Sequence, residues 1–381
     1  MKTIRRDQDV ILGGNDLEQI YCFKNFPVYM GSVGHPLSED VLSDMQWVIS
    51  KASGAIQLNP LLPLEVVYPD AHGSGCVGDL WMKHHGAFAN FISKYNPDSV
   101  LEIGGAHGIL SKYYHSEKPE TRWTIVEPNP TPDNTVKARF IKGFFDDQFE
   151  LDEPVDAVVH SHVFEHVYDP QSFVQHIAGF LPEGKHLIFS LPNMEEMLKR
   201  KYTNCINFEH TVFLTEPYIE YLLHQHGFRI LERDYFLDDH SIFYACVRDM
   251  SVKPTELPSG LYEKNKKIYL DYVTYHEDLI QDLNAKIADL KDDQKLYLFG
   301  AHVFAQYLIG FGLDTSRIEC LLDNDPNKQG KRLYGTNLQV ASPKILADVE
   351  NPVIILKAGV YNDEIKKDIV ENINKKTLFF E

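Results

Sequence analysis

The sequence predicts an α/β architecture: a Rossmann-like, doubly wound domain with an irregular module ahead of it and a second Rossmann-like α/β domain behind it. Three observations carry this. Short apolar runs at Ser99–Ile103, Trp123–Glu127, Ala157–His160 and His186–Ser190 alternate with amphipathic stretches, the pattern of parallel strands joined by helical crossovers. A glycine cluster, VLEIGGAHGIL at Val100–Leu110, follows the first run directly. The alternation then restarts in LYLFGAH (Leu296–His302), IECLLDND (Ile318–Asp325) and PVIILKAG (Pro352–Gly359).

Residues 1–85 are rich in Gly and Pro, with short apolar pieces such as Ala55–Leu58 and Leu64–Tyr68, and read as an irregular N-terminal module. Residues 86–250 hold the first α/β domain. Residues 251–294 are a linker and a helix. The prolines of VKPTELPSG (Val252–Gly260) interrupt regular structure. Ile268, Leu279, Leu283, Ile287 and Leu290 then recur at near-helical spacing without sustained heptads, which predicts a bridging helix rather than a coiled coil. Residues 295–381 are the second α/β domain.

At 381 residues the chain can bury two or three cores. Its 44% apolar and 24% charged residues are those of a soluble globular protein. No run approaches the roughly 20 apolar residues of a membrane span. The opening MKTIRRDQDVILGGND lacks the apolar stretch of a secretory signal. A formal charge of −18 argues against nucleic acid or an anionic membrane as partner, but not against a small phosphorylated ligand held by local donors. The five cysteines (Cys22, Cys76, Cys205, Cys246 and Cys320) lack short-spaced pairs, which suits a reducing cytoplasm and small buried hydrophobes better than nucleophiles.

The glycine loop is neither of two familiar types. A phosphate loop needs Lys-Ser/Thr after its glycines, and a dinucleotide loop needs G-x-G-x-x-G; here stand Gly104, Gly105, Ala106, His107 and Gly108. An acid inside the strand, Glu102, would repel a pyrophosphate and suit an ammonium group. Glu127, at the end of the next strand, is placed to accept both hydroxyls of a ribose. S-adenosylmethionine combines an amino acid end and a ribose without phosphate.

VLEIGGAHG resembles the first motif of class I methyltransferases, and VEPNP (Val126–Pro130) resembles their ribose-binding segment. VDAVVHSHVFEHVYDP (Val155–Pro170) resembles their fourth motif, and HLIFSLPN (His186–Asn193) their fifth strand. The resemblance implies a cofactor set of Glu102, Gly104, Gly105, Gly108, Glu127, Pro128, Phe145, Ser161 and His162. Glu165 and His166 are expected to orient their loop and cap the following helix.

Ser50–Gly75 resembles the N-terminal module of deoxysugar C-methyltransferases, which act on nucleotide-linked keto sugars. In that family two C-x-x-C-G knuckles bind one zinc. Here Asp9 to Gly13 and Ser50 to Gly54 take their places, with the glycines kept and all four sulfurs gone. Ser and Leu do not replace thiolates in a tetrahedral site, so no zinc is expected. His84 and His85, adjacent on a helix, are given no metal role. Tyr68 and His72 are expected to line the acceptor side.

The last hundred residues also resemble that family, whose final domain is implied to hold the substrate's nucleotide diphosphate. Gly300 and His302 end a strand and open a helix, whose amides favour anions, and Lys328 and Lys331 follow the acidic strand end. The family's Y-H-E-H run corresponds here to Asn207-Phe208-Glu209-His210, so the tyrosine is replaced. His210 is the expected general base, with Glu209 orienting it and Asn207 donating weakly to an enolate oxygen. His240 and Ser241 match a late substrate-facing loop loosely.

The leading expectation is therefore C-methylation of a keto sugar nucleotide. A second is O-methylation of a hydroxyl, with His210 or His162 as base. A third, a nucleotide-binding oxidoreductase or regulator, suffers from the single glycine in LFGAHVFAQYL, and a catalytically dead scaffold from the intact donor motifs.

Overall fold

A computed structural model describes residues 2–68, 78–132 and 134–381. Within them the chain forms two compact units: residues 1–19, 47–200 and 207–266 make the first, and residues 20–46, 201–206 and 267–381 the second. The N-terminal stretch is thus divided between the units rather than forming a module of its own. No described helix is long and apolar enough to cross a membrane.

The chain starts with β1 (Leu17–Pro27), the short β2 (Ser32–Val33), β3 (Leu42–Ser50) and β4 (Ile56–Leu58). Trp47 and Ile49 of β3 pair with Leu58 and Ile56 of β4. The segments Asp9–Gly13 and Ser50–Gly54 are well-formed turns. Gly13 N–H donates to Asp9 O at 2.8 Å, and Gly54 N–H to Ser50 O at 2.9 Å. Where a knuckle would have a sulfur acceptor, Asp9 Oδ1 accepts from Ile11 N–H at 2.9 Å and Ser50 Oγ from Ser53 N–H at 3.1 Å. Both glycines have left-handed φ, +79° and +72°, so the retained glycines follow from backbone geometry that disfavours a Cβ.

After α1 (Leu64–Val67) and α2 (Asp79–Ser93) the Rossmann-like domain runs β5 (Ser99–Ile103), α3 (Ile109–Glu117), β6 (Arg122–Glu127), β7 (Arg139–Lys142), β8 (Ala157–Ser161), α4 (Pro170–Phe180), β9 (His186–Pro192), α5 (Met194–Lys199), α6 (Glu216–Gln225), β10 (Phe228–Phe236) and β11 (Ser241–Arg248). The seven strands lie in the order β10-β11-β9-β8-β5-β6-β7. Only β11 runs against its neighbours. The chain leaves β5 for β6 and β7, then returns on the other side of β5 to β8. That reversal opens a crevice at the carboxyl ends of β5 and β8, where such sheets bind ligands. The strands are buried on both faces, by Leu101, Val158, Leu187 and Phe189 with α4 and α6 on one side and by Val100, Ile125, Val159 and Ile188 with α2 and α3 on the other. This explains their continuous apolar runs. Asp169, rather than Glu165 or His166, caps α4 by accepting from Ser172 N–H at 3.0 Å.

Helix α7 (Leu261–Ala288) is continuous, and the division between the units falls within it. In the second unit follow β12 (Lys295–Phe299), α8 (Val303–Gly310), β13 (Ile318–Leu322), β14 (Arg332–Leu333), β15 (Val340–Ala341), β16 (Pro352–Leu356), α9 (Asn362–Asp368) and β17 (Leu378–Phe380). Its parallel sheet has the order β15-β13-β12-β16-β17. Ile280, Leu283 and Ile287 of α7 pack into its core with Leu298, Leu321 and Ile355. β14 pairs with β2, and a two-pronged ion pair joins buried Arg332 to Asp40 there, at 2.6 and 2.7 Å.

Candidate active site

The glycine loop lies between β5 and α3, at the reversal of strand order. Gly104 N–H donates to Val126 O at 2.9 Å, which ties the loop to β6. A Cβ on Gly104 would stand 2.7 Å from Val163, one on Gly105 2.7 Å from Glu102 and Ile125, and one on Gly108 2.6 Å from Val136. The loop is therefore bare backbone by steric necessity. Ala106 N–H donates to Glu127 Oε2 at 3.1 Å and Asn129 N–H to Oε1 at 3.1 Å. Two amides thus fix the Glu127 carboxylate at the rim, with the half-buried Pro128 beside it.

Glu102 is placed differently from expectation. It is 3% exposed beneath Gly105, and Trp123 Nε1 donates to its Oε2 at 2.7 Å. Burial pushes its carboxyl up to about 7, against the Trp123 hydrogen bond and with Glu127 adding to the rise. It supports the loop instead of lining its open face. Phe145 also departs from expectation: it packs among Phe149, Phe173, His176 and Phe180, while Phe144 is the exposed ring of the pair. The apolar partners offered by α4 outweigh any call on Phe145 from the cofactor side.

Ser161 ends β8 opposite Ser190 of β9. His162 follows in the left-handed region, φ +53°, with its N–H donated to Ser190 O at 2.9 Å. Its Nδ1 lies 3.4 Å from Glu165 Oε1 and its Nε2 2.8 Å from Ser241 Oγ. Glu165 is fully buried with neither carboxylate oxygen in a well-formed hydrogen bond. Burial opposes its ionisation, but His162, His166 and His210 around it outweigh that and hold the carboxyl down at about 2. His166 Nε2 is 3.7 Å from Glu165, and its Nδ1 is 2.6 Å from the Tyr68 hydroxyl and 3.8 Å from Glu209 Oε2. The His166 and His210 rings lie 5.1 Å apart. Tyr68, Glu165, His166, Glu209 and His210 thus meet at one edge of the sheet. Glu165 and His166 were expected only to shape a loop, and their partners lie too far along the chain for spacing to show the cluster.

Asn207 lies beneath the segment that carries Glu209 and His210. It is 4% exposed, and its Oδ1 accepts from both Glu209 and His210 N–H at 2.8 Å, so the residue shapes the turn that presents Glu209 and His210. Arg6, which the sequence did not single out, holds the same segment from outside. Its guanidinium donates to the carbonyls of Leu58, Tyr168 and Thr211. Burial lowers its pKa to about 9, partly offset by Tyr168 and Asp169. His240 and Ser241 lie beside His162, at the turn into β11, with Ser241 Oγ 2.6 Å from His240 Nδ1. His72 lies outside the described residues.

The second unit repeats the loop device. Gly300 N–H donates to Leu322 O at 2.8 Å, and Ala301 N–H to Asp323 Oδ2 at 2.9 Å. Lys328 is engaged by that same oxygen at 3.0 Å, and His302 is exposed at the start of α8. A carboxylate, not an open cradle, occupies the amide expected for phosphate. The arrangement parallels Glu127 on Ala106.

Residues 84–233 match the family model of a methyltransferase domain, and residues 252–380 match that of a C-methyltransferase C-terminal domain. The chain is an S-adenosylmethionine-dependent methyltransferase. No curated protein matches it. Solved structures similar to the methyltransferase include the N-methyltransferase NodS from Bradyrhizobium japonicum in complex with S-adenosyl-L-homocysteine, at 15% identity and TM-score 0.35, covering 45% of this chain and 89% of that one. Another is an O-methyltransferase family protein from Burkholderia thailandensis, at 14% identity and TM-score 0.36, covering 45% and 57%. The residues present fit the donor: the Cβ-free loop admits close approach of a ligand, and Glu127 is held with both oxygens at its rim.

Proposed function

We propose that this methyltransferase transfers a methyl group to a ring carbon beside the carbonyl of a nucleotide-linked keto sugar, with His210 as general base. The donor supplies an electrophilic methyl carried on a sulfonium. The observation that carries the reading is the cluster of Tyr68, Glu165, His166, Glu209 and His210 beside the glycine loop. A neutral His210 removes the proton next to the carbonyl, and the buried, ionised Glu165 stabilises the imidazolium that results. Tyr68 supplies the phenol that position 207 lacks: its O–H, kept protonated by burial, faces this cluster and can donate to an enolate oxygen. Arg6 and Asn207 hold the segment that carries the base. The match of residues 252–380 to a C-methyltransferase C-terminal domain supports transfer to carbon.

The test is isotope exchange. A 4-keto sugar nucleotide deuterated at the ring carbons beside the carbonyl should lose label with the enzyme present, and the product should carry a C-methyl signal. Full retention of label with a methoxy signal would instead establish transfer to oxygen. His210→Ala should lower turnover by roughly 10²–10⁴ with donor affinity unchanged; undiminished turnover would remove the base assignment.

A further inference from the structure

Three histidines far apart in sequence converge beside the site already described. His84 comes from α2, His162 from the loop after β8 and His240 from the turn into β11, and each offers a ring nitrogen within 4.8 Å of the other two. We propose that His84, His162 and His240 form a binding site for one divalent ion of the zinc class, at the acceptor side of the active site. Nothing in the sequence suggested it, because the members are separated by 78 residues at each step and His84 sits next to His85.

The geometry favours a metal over a simple cluster of rings. A tetrahedral ion with nitrogen ligands at about 2.0–2.1 Å holds imidazole ring centres about 5.2 Å apart. The observed separations are 5.3 Å for His84 and His162, 5.3 Å for His84 and His240, and 6.0 Å for His162 and His240. Bringing the longest side to the tetrahedral value takes about 0.8 Å of side-chain movement.

The surroundings are those of a ligand shell. Metal-binding imidazoles usually engage a hydroxyl, carbonyl or carboxylate through their second nitrogen, which fixes ring orientation. His84 Nε2 is 3.0 Å from Ser190 Oγ, His162 Nδ1 is 3.4 Å from Glu165 Oε1, and His240 Nδ1 is 2.6 Å from Ser241 Oγ. That leaves His84 Nδ1, buried and without a hydrogen-bond partner, as an unexplained lone group. Ser241 Oγ, also 2.8 Å from His162 Nε2, is the oxygen that an ion would draw in or displace. Trp81 packs on all three rings, with centroids at 5.3, 4.9 and 5.1 Å, and Phe236 and Phe243 enclose His84.

Three imidazole nitrogens and no carboxylate ligand select a borderline ion such as Zn²⁺, Co²⁺ or Ni²⁺ over Mg²⁺ or Ca²⁺. Three protein ligands also leave a fourth position, the arrangement of catalytic rather than structural sites. The ligand for that position is an acceptor oxygen, a carbonyl or hydroxyl, which the ion would polarise. That last step rests on the proposed function; metal binding itself does not.

The experiment uses the untagged full chain, stripped with chelator and titrated with Co²⁺ while visible absorption is recorded. One equivalent per chain should bind with the strong bands of four-coordinate Co²⁺ and be displaced by Zn²⁺. His84→Gln and His240→Asn should each abolish the bands, and His224→Gln should keep them. Calorimetry with S-adenosylhomocysteine on the same samples reads the donor site, so loss of the metal claim is distinguishable from loss of the methyltransferase reading and reports unfolding of any variant. No stoichiometric uptake by the wild-type chain overturns the proposal. So do bands that survive both substitutions, or that vanish with His166→Gln while surviving His84→Gln.

Discussion

Replacing Glu102 with Gln tests the role of the acid beneath the glycine loop. Its carboxyl titrates at about 7 in the folded chain against 4.5 for the ordinary side chain. The sign follows from linkage. Below pH 4.5 the group is protonated in folded and unfolded states and costs nothing. As pH rises through 7 the unfolded state has already released its proton and the folded state must hold it or bury a charge, so stability is lost. At about 1.4 kcal/mol per unit, the penalty above pH 7 is about 3 kcal/mol. Glu102→Gln keeps an acceptor for Trp123 Nε1 and carries no charge. The variant should therefore match wild type at pH 4 and exceed it by about 2–3 kcal/mol at pH 8, read by urea denaturation. S-adenosylhomocysteine affinity by calorimetry should change by less than about threefold, because a buried strut has no direct donor contact to lose. A pH-independent difference, or a collapse of donor affinity, would refute the reasoning and return Glu102 to the open pocket.

Glu127→Ala should weaken donor binding by about 1–3 kcal/mol, the scale for hydrogen bonds to a charged group, as measured by calorimetry. Gly105→Ala places a Cβ 2.7 Å from Glu102 and Ile125 and should cost about 1–3 kcal/mol in thermal or urea unfolding; Gly179→Ala, exposed in α4 with no atom near its Cβ, should stabilise by about 0.5–1 kcal/mol. Arg6→Met should disturb the segment presenting His210, lowering kcat at least about tenfold through misplacement of the base while donor affinity holds.

The central sheet was legible because its strands are buried on both faces and read as unbroken apolar runs; Ser99–Ile103 and the observed β5 coincide. Edge strand β7, with two of its four residues exposed, left no such trace. Helix α7 was visible but its buried face was not. That face follows Asn265, Tyr269, Tyr272, His276, Ile280 and Leu283 at helical spacing, and the polar character of its first four members hid it. The glycine loop could be read since local backbone geometry dictates it. The acid–histidine cluster joins Tyr68, Glu165 and Glu209, and Arg6 reaches Tyr168, contacts that exist only after folding. The turn that Asn207 makes with Glu209 and His210 was not legible either, because any carboxamide can accept such bonds and only the folded backbone shows that this one does.

The turns at Asp9 and Ser50 close on oxygen: a carboxylate and a hydroxyl take up amides that a thiolate would otherwise collect. Oxygen acceptors neither oxidise to disulfides nor surrender to chelators. Peroxide and chelators therefore find nothing to attack in either turn.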